Sequence, residues 1–135
     1  DPLNFVLGNC ATQRNLNASG RSQAKSIGNY FKNQGITFSK ILTSEWCRCV
    51  HTVLEMKMGT WSVFSGLNSF FENYSGKYKV LEELYAELDI IQGNELVLMV
   101  THQVVIFEVT NILPASGDLV LYNTRTKEVS FVDLP

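Results

Sequence analysis

The spacing of apolar residues changes period several times along the chain, and each change marks an element. Across 17–35, Ala18, Ala24, Ile27 and Phe31 fall on one stripe at helical spacing, with Asn17 as N-cap and Gly35 where a left-handed C-cap belongs. Residues 39–43 (SKILT) read as a short strand. Ser44 then caps a second helix over 45–58, with Trp46, Val50, Val53 and Leu54 inward and Gly59 ending it. Residues 79–92 form an amphipathic helix whose inward face is Val80, Leu81, Leu84, Leu88 and Ile91. Val97 to Val100 is an uninterrupted apolar run of the length of a buried parallel strand, followed by a helix over 104–113. Strands near 118–122 and 127–132 flank an Asn123-Thr124-Arg125 turn as a hairpin.

Two segments break this rhythm. Residues 1–13 open as a loop in which Phe5, Val6 and Leu7 are the only strand candidates. Residues 60–77 are long for a connection, and the aromatics Trp61, Phe64, Phe70 and Phe71 argue that the segment packs. Alternating helices and strands predict an α/β fold: a three-layer α/β/α sandwich with a mostly parallel central sheet.

A length of 135 residues suits one domain, and 45% hydrophobic content with a mean hydropathy of +0.02 excludes a disordered chain. Eleven basic against 13 acidic residues leave a net charge of −2 with no basic stripe, so no nucleic-acid partner is expected. No apolar run is long enough for a membrane span. Asp1-Pro2-Leu3-Asn4 carries neither an initiator Met nor a signal-peptide pattern, which suggests a processed chain or a fragment. Three cysteines are too few for a disulfide scaffold, and Cys47-x-Cys49 with His51 lacks zinc-site spacing, so no metal and no cofactor are expected.

The candidate chemistry lies where parallel α/β sheets keep it, in the loops beyond strand C-termini. His102 follows the 97–100 strand directly and faces that crevice; the alternative is a loop histidine bonding its neighbours. Arg48 falls in the first turn of the helix after the 39–43 strand, where free N–H groups and the helix dipole already attract an anion. Its planar fork matches phosphate oxygens, so Arg48 beside His102 describes a phosphate pocket. Arg14 and Asn15 precede the first helix and could reach the same pocket, whereas Gln23, Ala24 and Thr52 read as packing residues. A cysteine phosphatase needs C-x5-R in one loop, and neither Cys10 nor Cys47 has it.

In order along the chain, N-L-N-x-x-G-R-x-Q-A-x-x-I-G, T-S-E-W-C-R-C-V-H-T and V-T-H-Q closely resemble the histidine phosphatase (phosphoglycerate mutase-like) superfamily. The CATQRNL and LNSFF segments resemble a small bacterial branch that includes lipopolysaccharide core heptose-phosphate phosphatases. The resemblance implies a phosphate-monoester hydrolase acting through a phosphohistidine on a small phosphorylated substrate, with Arg48 clamping the phosphate and His102 stabilising the transferring group. Glu72 is the candidate proton donor. The alternative is a non-catalytic phosphate- or phosphosugar-binding domain of the same fold. The superfamily's Arg-His-Gly/Ala hallmark, which carries the nucleophile, is missing, since the only histidines are His51 and His102. The expectation is a single N-terminally incomplete domain that lacks its first strand, with a gap in mid-sheet, little activity and self-association through the open sheet. The branch favours the periplasm, with the cytoplasm as alternative. Cys10 and Cys47 should meet at the rim of the site, close enough for a disulfide if the protein is exported.

Overall fold

The computed structural model describes residues 1–71 and 75–134. Helix α1 (Ala18–Asn33) starts at Asn17, whose side chain accepts from the Gly20 N–H. It ends in a left-handed Gly35, with Ile36 N–H bonded back to Phe31 O, which also brings Ile36 onto the Phe31 cluster. Strand β1 (Lys40–Thr43) and helix α2 (Cys47–Met56) follow. The α2 boundary differs from the 45–58 expectation at both ends: Trp46 is its N-cap, and Lys57 at φ 54° stops it before Gly59. Leu54, expected inward, is 49% exposed, and the buried face is Cys47, Cys49, Val53 and Met56.

The 60–77 connection contains strand β2 (Ser62–Val63) and a 3-10 turn over Ser65–Leu67, with Leu67, Asn68 and Ser69 buried. Phe71, expected to pack, is 66% exposed. Helix α3 (Lys77–Asp89), strand β3 (Val97–Val100), helix α4 (Gln103–Thr110) and the antiparallel hairpin β4 (Leu119–Tyr122) and β5 (Val129–Val132) complete the chain. Residues 5–7 form no strand; Val6 makes a lone bridge to Asn9.

Three layers follow from the two-residue period of the strands. Leu98 packs on the cluster formed by Ala24, Ile27 and Phe31 of α1 with Met56 of α2. Its neighbour Met99 points the other way, onto Leu42, Leu67, Val105 and the α3 residues Leu84 and Leu88. The α1–α2 contact is close enough that a Cβ on Gly28 would lie 2.1 Å from Met56 O.

Among the described residues the strands form two separate sheets. Parallel strands run β2-β1-β3, and β4-β5 is a separate ribbon. Leu98 and Leu119 nevertheless share the α1–α2 cluster, and Met99 and Tyr122 share the other, so β3 and β4 border the same two cores without pairing. One edge of β3 therefore lacks a strand among the described residues. That edge explains why Val97–Val100, expected to be buried, is half-buried throughout.

Candidate functional site

Strand register builds the site. Thr43 lies opposite Val100, and Ser44 N–H extends the ladder to Val100 O at 3.0 Å, so Ser44 meets Thr101 and His102 at the same C-terminal end. Helix α2 starts immediately afterwards and carries Arg48 on its first turn. Its Nη2 lies 3.4 Å from His102 Nδ1, so the structure brings the two residues together.

Hydrogen bonding fixes the imidazole's proton. Asn68 Nδ2 donates to Glu45 Oε2 at 2.9 Å, and Asn68 Oδ1 accepts from Glu45 N–H at 2.9 Å, which turns the amide oxygen towards Ser44. An amide oxygen has no hydrogen, so Ser44 Oγ–H donates to it at 3.3 Å. The hydroxyl's lone pairs then accept Trp46 N–H at 3.2 Å and His102 Nε2–H at 2.8 Å. The neutral ring presents the Nδ1 lone pair to Arg48. Burial, reinforced by the Arg48 charge, pushes the His102 pKa down to about 3. The Trp46 indole meets the imidazole edge-on, centroids 5.1 Å apart.

Cys49 sits behind the imidazole, with Sγ 3.8 Å from Nε2. Burial pushes its pKa up to about 11 against the opposing pull of Arg48, so it stays a thiol and is no nucleophile at neutral pH.

The N-terminal loop closes the other side. A Cys10–Cys47 disulfide, Cα atoms 5.6 Å apart, ties it to the start of α2 and takes Cys47 out of any thiolate ligand set. Gln13, 7% exposed, accepts from Cys47 N–H at 3.0 Å and donates to Val6 O and Leu7 O at 3.1 and 2.9 Å. It caps a helix whose own N-cap residue, Trp46, makes no side-chain capping bond, and it occupies one of the N–H groups expected to attract the anion. Asp1 completes the enclosure: its carboxylate accepts from Arg48 Nη1 at 3.2 and 3.0 Å, Trp46 Nε1–H at 3.2 Å and Arg14 N–H at 2.7 Å.

Of the other expected site residues, Arg14 reaches the cluster through its backbone N–H, and its side chain is exposed. Asn15 is spent on the loop, its Nδ2 donating to Cys10 O and Gln13 O at 2.8 and 3.1 Å. Glu72 lies outside the described residues. Gln23, expected to pack, is exposed and reaches Ser116 O at 3.4 Å. Thr52 bonds back to Arg48 O at 2.7 Å within α2. Sequence reasoning missed Asn68, Gln13, Trp46 and Asp1 as site residues and saw Ser44 only as a cap. A polar residue at the end of a strand was the available signal for Ser44; the others have none short of the fold.

An α/β architecture with helices on both faces of a mostly parallel sheet matches the phosphoglycerate mutase-like fold. The structure of the protein histidine phosphatase SixA complexed with tungstate is similar to this chain at a TM-score of 0.59, with 17% sequence identity, over 88% of this chain and 81% of that one. No family model matches the chain, and no curated protein matches it in sequence.

Proposed function

We propose that this chain holds the phosphate of a phosphate monoester, as a hydrolase domain of the histidine phosphatase type. The observation that carries the reading is the 3.4 Å approach of Arg48 Nη2 to His102 Nδ1 at the C-terminal end of parallel strands. Arg48 supplies a fixed positive fork for the phosphoryl oxygens. A dianionic phosphate beside His102 would raise the imidazole's proton affinity and turn Nδ1 from acceptor into donor, stabilising charge that develops on those oxygens. The tungstate bound to SixA is a tetrahedral oxyanion like phosphate, which supports this ligand class. A small phosphorylated substrate, with a lipopolysaccharide heptose phosphate as one candidate, suits such a site.

The step from binding to turnover needs a nucleophile. His102 is held by Ser44, and the other histidine, His51, has a buried Nδ1 with no hydrogen-bond partner among the described residues. The 135-residue chain is therefore expected to bind phosphate while turning over p-nitrophenyl phosphate slowly at best. Titration calorimetry with inorganic phosphate tests the pocket: Arg48→Ala and His102→Ala should each weaken binding at least about tenfold, the scale of one lost charge-assisted bond. Phosphate affinity indifferent to Arg48→Ala would overturn the assignment.

A further inference from the structure

Three donors beside and including Arg48 converge on one internal carboxylate. Arg48 Nη1 donates to both oxygens of Asp1, Trp46 Nε1–H to Oδ2, and Arg14 N–H to Oδ1. Although the Asp1 backbone lies on the surface, its side chain turns inward and is only 10% exposed. A guanidinium, an indole N–H and a backbone N–H converging on two oxygens make an oxyanion cradle, and their chemistry does not distinguish a carboxylate from one face of a phosphate.

We propose that Asp1 is an internal occupant of this cradle: its carboxylate sits in the phosphate position, and an incoming phosphate must displace it. The inference rests on the phosphate reading of the pocket and adds its regulation. The anchoring supports displacement. Cys10 is covalently fixed to Cys47, and Gln13 pins the segment at Val6 and Leu7, so Asp1 can leave on a short leash while the rest of the loop stays. A tethered competitor acts at high effective concentration, so the affinity for free phosphate is the intrinsic affinity multiplied by the fraction of molecules in which Asp1 is out. The Phe5 ring, 5.6 Å from Trp46, helps to hold the leash closed.

The experiment uses the 135-residue chain with Trp61→Phe, which leaves Trp46 as the one indole. Inorganic phosphate is titrated calorimetrically into this protein and into its Asp1→Asn, Asp1→Ala and Arg48→Ala derivatives, and Trp46 emission is followed in parallel. Both Asp1 variants should bind phosphate about tenfold tighter than the parent, the ratio expected of a site closed roughly nine-tenths of the time. Phosphate should also shift Trp46 emission in the parent towards that of ligand-free Asp1→Ala. Equal or weaker binding in both Asp1 variants, with Arg48→Ala still weakening it at least about tenfold, overturns the plug and leaves the phosphate pocket standing. Absence of phosphate binding in all of them at tens of millimolar overturns the phosphate reading, and the plug with it.

Discussion

Ser44 Oγ lies 2.8 Å from His102 Nε2 and is fully enclosed, with 0% exposure, so the imidazole is oriented by a hydroxyl whose own proton is committed to Asn68. The nitrogen that the ring turns to Arg48 is thus determined two side chains away. Ser44→Ala would leave Nε2–H and Trp46 N–H without their acceptor in a buried place. The expected loss is about 1–3 kcal/mol of stability by urea denaturation. Nitrogen-15 NMR of the unsubstituted protein should show the His102 proton on Nε2; a proton on Nδ1 contradicts the network.

Stability should depend on pH through His102. Its folded pKa is held near 3 by burial, below the ordinary value of 6.5. Above 6.5 the ring is neutral folded or unfolded, and the contribution is fully present. As pH falls below that value the unfolded chain takes up a proton that the folded ring refuses, so stability drops by about 1.4 kcal/mol per pH unit until the folded pKa is reached. Denaturation midpoints in His102→Gln should lose this slope between pH 6 and 4, by subtraction from the parent; an unchanged slope assigns it to other groups.

Reduction of Cys10–Cys47 should cost roughly 2–4 kcal/mol, because the bond closes a loop of 37 residues' separation. The same treatment frees the segment that delivers Gln13 to the α2 N-terminus, so protease sites within residues 1–13 should open first. Limited proteolysis with and without reductant reads this directly, and identical cleavage patterns would count against the tether.

Gly28→Ala should destabilise strongly. A methyl there would sit 2.1 Å from Met56 O, and backbone cannot step aside as a flexible side chain can. Separating α1 from α2 disturbs the Ala24, Ile27, Phe31 and Met56 cluster, at a cost of about 1–3 kcal/mol or more. Gly20→Ala, whose Cβ would meet the flexible end of Leu16 at 3.2 Å, is the control and should be tolerated far better.

Local periodicity settled a good deal by itself. Val97–Val100, the Asn17 cap, the Gly35 stop and the C-terminal hairpin were legible because each depends on side-chain spacing or on a backbone conformation specific to one residue type. The pairing of Arg48 with His102 was legible too, through the rule that chemistry gathers at strand C-termini. The end of α2 was not: Lys57 takes the left-handed position that the sequence offered to Gly59, because the helix stops where Met56 packs under Gly28. Nor could the chain reveal that Asn68, 24 residues after Ser44, fixes the tautomer of a histidine 58 residues after it, or that Gln13 caps a helix 34 residues away. Those partners are chosen by strand register and the disulfide, which act between segments far apart in sequence. Hydrophobic spacing determines which elements form; only their packing decides which polar groups are left facing one another in the dry space between them.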